Sequence, residues 1–194
     1  MITYKNKSLM KEKILVTGGT GYIGSHTVVE LQNAGYEVVI IDNLSNSSAD
    51  VVDNIEKVSG IRPAFEKLDC LDFAGLDAVF TKYKGIKAII HFAASKAVGE
   101  SVQKPLLYYR NNLVSLINLL ELMPKHGVEG IVFSSSCTVY GQPDELPVTE
   151  KAPIKKAESP YGNTKQINEE IVRDTVASGA PINAILLRYF NPIG

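Results

Sequence analysis

Residues 14–24 read Ile-Leu-Val-Thr-Gly-Gly-Thr-Gly-Tyr-Ile-Gly, and this stretch decides the fold of the chain. Its apolar start predicts a buried parallel strand, which runs directly into three glycines, Gly18, Gly21 and Gly24. A tight strand-to-helix turn of this kind lets backbone N–H groups approach a pyrophosphate, and the helix N-terminus adds partial positive charge. The stretch therefore predicts a dinucleotide site.

The spacing of these glycines indicates which type of dinucleotide-binding turn the chain contains. Gly18-x-x-Gly21-x-x-Gly24 differs from the Gly-x-Gly-x-x-Gly of ordinary dehydrogenases. It resembles the variant of the short-chain dehydrogenase/reductase superfamily. By itself the turn indicates only that a dinucleotide binds.

Composition limits the classes of protein that the chain can represent. It has 194 residues, 45% of them hydrophobic, and a net charge of −1, which fits one domain with a sizeable core. The balanced charge argues against nucleic acid as a partner, and no segment reaches the ~20 apolar residues of a membrane span. Cys70 and Cys137 form neither a disulfide framework nor a metal pair. We expect a reducing, cytoplasmic setting and no metal.

Strand and helix patterns alternate along the chain. Strands are predicted near 13–17, 37–42, 64–68, 86–92, 130–135 and 182–188, with helices near 22–34, 49–58, 71–83, 105–125 and 160–176. This order predicts an α/β fold, a doubly wound Rossmann-type parallel sheet of about six strands with helices on both faces. We expect an N-terminal tail at 1–11 and one NAD-binding domain at 12–194.

Two helices carry an apolar stripe, and two segments have no periodic pattern. The first helix is predicted to bury Ile23, Thr27, Leu31 and Ala34. The helix at 105–125 is predicted to bury Leu106, Tyr109, Leu113, Leu116, Leu120 and Met123. A second stripe on the latter would suit a homodimer. Residues 95–104 are predicted as a loop, and the proline-rich segment that follows 141 as a functional loop.

Asp42 ends the second predicted strand, 18 residues after Gly24. A dinucleotide fold places there the acid that hydrogen-bonds the adenosine ribose, and a carboxylate would repel a 2′-phosphate. The position predicts NAD rather than NADP. An aspartate at a strand end is also a common helix cap.

Tyr161 and Lys165 are the strongest candidates for chemistry. Residues i and i+4 share a helix face, so an ammonium group near the phenol would lower its pKa and make it a usable base. Three hydroxyls, Ser134 to Ser136, end the fifth predicted strand and would face the same crevice. One of them could hydrogen-bond a reacting sugar hydroxyl.

Several runs resemble the family of UDP-glucose 4-epimerases (UDP-galactose 4-epimerases), which are extended short-chain dehydrogenases/reductases. They are residues 16–27, 96–101, 133–141, 159–165 and 188–192. The resemblance covers nearly all of the chain past residue 12. Small departures occur at Ala94, Ser95 and Cys137, where members of the family usually carry Gly, Leu and Ala.

The resemblance implies a role for each matching residue. Tyr161 would be the catalytic base, Lys165 its partner on the nicotinamide ribose, and Ser136 the hydroxyl at the sugar C4 oxygen. The implied cofactor contacts are Gly18, Gly21, Tyr22, Ile23, Gly24, Asp42, Asn43, Asp69, Cys70, Phe92, Ala93, Lys96, Asn111, Ser134, Tyr161, Lys165 and Tyr189. The implied substrate contacts are Lys96, Ser136, Tyr161 and Asn191.

The implied reaction interconverts UDP-galactose and UDP-glucose through a 4-keto intermediate with tightly bound NAD. Members of the family continue into a C-terminal substrate domain, which we expect to be missing here. Two alternatives stay open. One is a sibling sugar-nucleotide dehydratase, although Cys137 and Thr138 offer no acid pair. The other is a non-catalytic NAD-binding protein that acts through a partner.

Overall fold

The computed structural model describes residues 12–192, so the predicted tail at 1–11 lies outside the described part. The strands are β1 (Lys13–Thr17), β2 (Glu37–Asp42), β3 (Ala64–Lys67), β4 (Ile86–His91), β5 (Gly130–Ser136) and β6 (Asn183–Tyr189). The α-helices are α1 (Tyr22–Asn33), α2 (Asp50–Ser59), α3 (Phe73–Lys82), α4 (Val98–Gln103), α5 (Pro105–Lys125) and α6 (Pro160–Ala177). A 3₁₀ turn, Cys137–Tyr140, follows β5.

The six strands form one parallel sheet in the order β3-β2-β1-β4-β5-β6. The order reverses between β1 and β4, so the connections leave their carboxyl ends in opposite directions and open a crevice there. This is the predicted Rossmann-type arrangement, and the fold prediction is confirmed.

Alternation along the strands divides the core into two layers. On one side, Ile14 and Val16 of β1 pack with Val28 of α1 and Ile55 of α2. On the other side, Leu15 lies in a larger cluster formed with α3, α5 and α6. Helices therefore cover both faces of the sheet. The crevice between β1 and β4 lies at the carboxyl ends of these two central strands.

The predicted buried face of α1 is wrong. Instead of Ile23, Thr27, Leu31 and Ala34, the helix buries Gly24, Val28 and Gln32. The cause is the glycine turn, because Gly24 lies against the backbone of Gly18 and Gly19 and sets the rotation of the helix. The close packing of Gly24 against the turn, and not the hydrophobicity of the side chains, therefore determines which face of α1 is buried.

The segment predicted as a loop at 95–104 contains α4, and the stripe on α5 is partly wrong. Leu106 is 81% exposed, whereas Tyr108 and Asn112 on the same two turns are buried. Tyr108 contacts the residues around α4: its hydroxyl accepts from Ala97 N–H and donates to Glu100. The N-terminal end of α5 therefore buries side chains that can hydrogen-bond, Tyr108 and Asn112, instead of a stripe of aliphatic residues.

Candidate functional site

The glycine turn joins β1 to α1 and brings β4 close to it. Gly18 has φ +70°, a left-handed conformation that favours glycine, and a Cβ there would lie 2.7 Å from the Ala93 nitrogen. A Cβ on Gly24 would overlap the Gly18 carbonyl oxygen. Gly21 is the N-cap of α1 and offers no side-chain cap, and Tyr22 and Ile23 open the helix. The turn therefore has a bare helix N-terminus, the kind that binds phosphate.

Asp42 holds the neighbouring loop. Its carboxylate accepts from the backbone N–H groups of Thr20 at 3.2 Å and Leu44 at 2.9 Å, and from the Ser47 hydroxyl at 3.3 Å. The side chain is 7% exposed and lines the crevice. An ionised carboxylate has about four acceptor positions, so capacity for a further donor remains. The structure thus shows Asp42 capping the loop after β2, and its contact with a ribose stays a prediction.

Asn43, Asp69 and Cys70 lie at the carboxyl ends of β2 and β3. Asn43 Nδ2 donates to Asp69 at 3.0 Å, and the other Asp69 oxygen accepts from Leu71 N–H at 2.9 Å. Burial and the charges of Asp69 and Asp42 raise the pKa of the Cys70 thiol to about 12. The thiol is protonated and packs in the core, so Cys70 can offer a ligand only backbone groups and an apolar side chain.

A cleft of about 610 Å³ extends from the glycine turn across the sheet edge to α5. The predicted cofactor residues that line it are Gly18, Gly21, Asp42, Asn43, Asp69, Cys70, Phe92, Ala93, Lys96 and Asn111. Phe92 and Ala93 are held against β1, because their N–H groups donate to the Thr17 carbonyl and hydroxyl. Lys96 is exposed on the loop after β4. The structure thus brings most of the predicted nucleotide contacts to one cavity.

The predicted catalytic residues lie where β5 ends and α6 begins. Ser159 caps α6 by accepting from Gly162 N–H at 3.1 Å, with Pro160 at the first helical position. The cap places Tyr161 in the first turn, where its phenol hydrogen-bonds Ser136. Lys165, one turn later, donates from Nζ to the Ser134 carbonyl at 2.6 Å. Its Nζ lies 5.8 Å from the centre of the Tyr161 ring.

The pKa values of Tyr161 and Lys165 differ from the sequence expectation. Burial raises the pKa of Tyr161, and the hydrogen bond with Ser136 opposes that rise. Burial lowers the pKa of Lys165 to about 8. The expected lowering of the Tyr161 pKa by Lys165 is not found; the Lys165 ammonium group donates to the Ser134 carbonyl and lies 5.8 Å from the centre of the Tyr161 ring. The phenol is neutral at pH 7 in this arrangement.

His91 lies beneath this site on β4. Burial, with the charge of Lys165, lowers the pKa of His91 to about 3, so the ring is neutral. Its Nδ1 is 2.6 Å from the Thr17 hydroxyl, which is also the hydroxyl that receives Ala93 N–H. His91 therefore has a structural role, because its hydrogen bond with Thr17 joins the end of β4 to the end of β1.

Tyr189 is the last residue of β6, and Asn191 lies two residues further on. The Tyr189 ring lies 6.5 Å from the Phe92 ring, which places the end of β6 across the crevice from the loop after β4. Burial raises the pKa of Tyr189, and Asn191 is exposed. The Ser-Tyr-Lys trio formed by Ser136, Tyr161 and Lys165 does not line the cleft itself. Neither do Ser134, Tyr189 and Asn191; all six lie where β5 ends, α6 begins and β6 ends.

A buried ion network below the site was missed in the sequence. Glu169 is fully buried and accepts from Ser135 Oγ at 2.6 Å, Arg173 at 2.6 Å and Arg188 at 2.8 and 2.9 Å. Burial alone would raise its pKa, but the hydrogen bonds from Arg188, Ser135 and Arg173 hold it below the ordinary value. The sequence did contain a sign of its position, because Glu169 follows Tyr161 and Lys165 at the same four-residue spacing and therefore lies on the same buried face of the helix.

The fold and the site together define a class of protein, a dinucleotide-binding α/β domain with a Ser-Tyr-Lys trio at the open end of its sheet. The chain belongs to the NAD dependent epimerase/dehydratase family, whose model matches residues 14–194. Within residues 12–192, no helix combines the length and apolar character needed to cross a bilayer.

Individual relatives are similar over nearly the whole chain. UDP-glucose 4-epimerase of Mus musculus is 52% identical in an alignment of 189 residues that covers 94% of this chain and 54% of the mouse protein. The Bacillus subtilis enzyme of that name is 53% identical over 181 residues, 93% of this chain and 53% of the bacterial one. A Bifidobacterium longum UDP-glucose 4-epimerase, solved with NAD+ and UDP, superposes with a TM-score of 0.91 at 47% identity, covering 94% of this chain and 54% of that one. The chain spans about half the length of the curated relatives it matches.

Proposed function

We propose that residues 12–194 are the NAD-binding domain of a UDP-glucose 4-epimerase. The observation that carries the proposal is the convergence of Ser136, Tyr161 and Lys165 beside a cleft that begins at the glycine turn. Relatives about 50% identical bear that name, and one was solved with NAD+ and UDP. The proposed reaction interconverts UDP-galactose and UDP-glucose through a 4-keto sugar.

The residues of the cleft fit a dinucleotide. Gly18 and Gly21 line the cleft and carry no side chain, so the backbone itself forms the wall on which a pyrophosphate would rest. Asp42 would accept from the adenosine ribose and repel a 2′-phosphate, which favours NAD over NADP. Asn43, Asp69 and Cys70 would flank the adenine. Phe92, Ala93, Lys96 and Asn111 would line the pyrophosphate and nicotinamide end.

When bound, NAD supplies a reversible hydride acceptor. Tyr161 would accept the proton of the sugar C4 hydroxyl, and Ser136, already hydrogen-bonded to that phenol, would hold the same oxygen. A positive charge close to Tyr161 is needed to overcome the rise in its pKa caused by burial. Lys165 would supply part of that charge, since its ammonium group is nearby and at least partly protonated at pH 7.

Lys96 and Asn191 are proposed as substrate contacts. Lys96 is exposed on the loop after β4, and Asn191 is exposed just past β6, so both can reach a nucleotide sugar bound over the trio. Tyr189, the last residue of β6, would contact the nicotinamide. The proposed substrate would contact both sides of the crevice, so its contacts Lys96 and Asn191 come from loops that are far apart in the sequence.

A homodimer through α5 is a further part of the proposal. This helix exposes Leu106, Leu107, Val114 and Ile117, which together make an apolar surface next to the buried stripe. Sedimentation equilibrium of the chain and of Val114→Glu should show a dimer only for the former; a monomer for both would contradict it. Free thiols at Cys70 and Cys137 suit the proposed cytoplasmic location.

The proposal is tested by nucleotide content and turnover. Acid treatment of the purified chain should release NAD, and the chain with NAD should interconvert UDP-galactose and UDP-glucose. Tyr161→Phe should abolish turnover and keep the nucleotide, while Tyr36→Phe, before β2, should change neither. A chain that neither contains nor binds NAD contradicts the proposal. Bound NAD without turnover would contradict catalysis by this chain.

A further inference from the structure

The Ser95 hydroxyl lies in the cleft, on the loop after β4, and three hydrogen bonds hold the residue in place. Ser95 N–H donates to Asn112 Oδ1 at 2.8 Å, and the Ser95 carbonyl accepts from Asn112 Nδ2 at 3.0 Å. Ser95 Oγ accepts from Asn111 Nδ2 at 3.1 Å. The residue is half-buried and lines the cavity. Its backbone and its side chain therefore have one defined position before any ligand binds.

The bond with Asn111 shows which role the Ser95 oxygen has. Asn111 Nδ2 also donates to Asn112 Oδ1 at 3.1 Å, and that oxygen is an acceptor because Ser95 N–H points at it. The Asn111 group that faces Ser95 is therefore its NH₂, which can only donate. Ser95 Oγ accepts there and keeps its own proton for another partner. Within residues 12–192 that proton has no acceptor, so the hydroxyl offers a free donor to the cleft.

The position of Ser95 relative to the glycine turn indicates which part of a ligand it meets. A Cβ on Gly18 would lie 2.7 Å from the Ala93 nitrogen, so the loop after β4 begins in contact with that turn. Two residues of chain span at most about 7 Å, which keeps Ser95 within reach of a group that rests on the turn. The adenosine end of the cleft, with Asp42 and Asp69, lies on the other side of β1, at the ends of β2 and β3. Ser95 therefore faces a pyrophosphate from the nicotinamide side.

The charges around Ser95 favour an anionic oxygen as the acceptor of its proton. Lys96, the next residue, and Arg110 on α5 also line the cleft, and both are exposed. Glu100 lines it too, but its carboxylate is paired with Lys104 at 3.1 Å. A hydrogen bond to an ionised oxygen is shorter and stronger than one between neutral groups. A phosphate oxygen therefore suits this wall of the cleft better than a ring nitrogen or a carbonyl oxygen does.

We propose that Ser95 is a cofactor-binding residue whose hydroxyl donates a hydrogen bond to the nicotinamide-side phosphate of the bound dinucleotide. The inference rests on the proposed function and adds to it a contact outside the predicted set. Together with the backbone of the glycine turn, the hydroxyl places donors on both sides of the pyrophosphate. Leucine, which members of the family usually carry at this position, has no proton to donate, so the contact distinguishes this chain from them.

The test uses three ligands that contain different parts of the dinucleotide. Isothermal titration of Ser95→Ala should show NAD and ADP-ribose each bound about 10-fold more weakly, as loss of a hydrogen bond to a charged group predicts, and AMP bound within about 2-fold. ADP-ribose has both phosphates but no nicotinamide, and AMP lacks the second phosphate. If only NAD is weakened, the acceptor is on the nicotinamide; if all three are weakened alike, the change is general. Either result overturns the inference.

A double variant separates a direct contact from an effect through Asn111. Ser95→Ala also removes an acceptor from Asn111, which is itself a predicted cofactor contact. On an Asn111→Ala background, Ser95→Ala should still weaken NAD by at least about 5-fold, because the hydroxyl proton acts on the ligand without the amide. If Ser95→Ala changes nothing on that background, Ser95 acts only by orienting Asn111, and the inference is overturned.

Ser101→Ala is the matched control. Ser101 on α4 is fully buried, and its hydroxyl already donates to the Val98 carbonyl at 2.6 Å. The substitution should lower the unfolding midpoint and leave the binding of all three ligands unchanged. If it weakens NAD and ADP-ribose as much as Ser95→Ala does, loss of stability explains both variants and the inference is overturned.

Two results distinguish this inference from the proposed function. Equal NAD dissociation constants for wild type and Ser95→Ala overturn the inference alone. Failure of the unsubstituted chain to bind NAD overturns it together with the proposed function.

Discussion

Lys165 shows how burial shapes the chemistry of a single residue. Its side chain is 3% exposed, and this burial lowers the pKa to about 8 although the ammonium group donates to the Ser134 carbonyl. The residue pair with Tyr161 was predictable, since four-residue spacing on a helix puts both on one face. The direction of their pKa values was not, because it depends on how deeply each group is buried and on which acceptor the ammonium group finds.

The lowered pKa of Lys165 predicts a pH-dependent stability. The ordinary pKa of 10.5 applies to the unfolded chain, which therefore binds more protons than the folded chain between pH 8 and 10.5. Stability from this group is fully present above 10.5 and is lost as pH falls through 8. The free energy of unfolding of wild type relative to Lys165→Met should rise by roughly 3 kcal/mol across this window. Urea unfolding at pH 7, 9 and 10.5 measures it, and a difference that is the same at every pH contradicts it.

Elements that are long and periodic were predictable, and short ones were not. All six strands were placed to within about a residue or two, because most of them are apolar runs of the length typical of a buried strand; β3, with Glu66 and Lys67, is the exception. The six residues of α4 are too few to show a helical period. On α5 the period was visible but its buried face was misplaced, since Tyr108 and Asn112 are buried through hydrogen bonds that only the folded chain provides.

The Glu169 network predicts how three elements depend on one another. Glu169 on α6 joins Ser135 of β5 to Arg188 of β6. The three residues belong to three different elements and are too far apart in sequence for a local pattern to connect them. Glu169→Gln should lower the free energy of unfolding by about 3 kcal/mol, because it leaves the half-buried Arg188 without its counter-charge. The double variant Glu169→Met, Arg188→Met should cost less than the sum of its single variants. Urea unfolding of wild type, Glu169→Met, Arg188→Met and the double variant gives the cycle, and strictly additive losses would show that the pair is not coupled.

At the scale of the whole molecule, the cleft lies between two halves of one sheet. The β1–β3 half contributes the glycine turn and the acidic strand ends, and the β4–β6 half contributes the loop after β4, while the trio and Tyr189 lie outside the cleft lining. The sequence predicted both halves because each motif follows a strand, and parallel strands bring their carboxyl ends to one edge. It could not predict the links between the halves, such as the Gly18 contact with Ala93. A ligand that spans the cleft must therefore stabilise the fold as one unit.

NAD should raise the stability of the entire chain by mass action. At a free concentration 100 times its dissociation constant, a ligand that binds only the folded state adds about 2.7 kcal/mol to the free energy of unfolding. Tyr161→Phe should show the same gain, because the phenol is not part of the nucleotide wall. Gly24→Ala should show none, since its Cβ would overlap the Gly18 carbonyl and displace the turn. Gly99→Ala is the control: a Cβ there meets nothing within 4 Å, so the gain from NAD should be retained. Thermal unfolding with and without NAD measures all four, and an unchanged midpoint in the unsubstituted chain would contradict a ligand that spans the cleft.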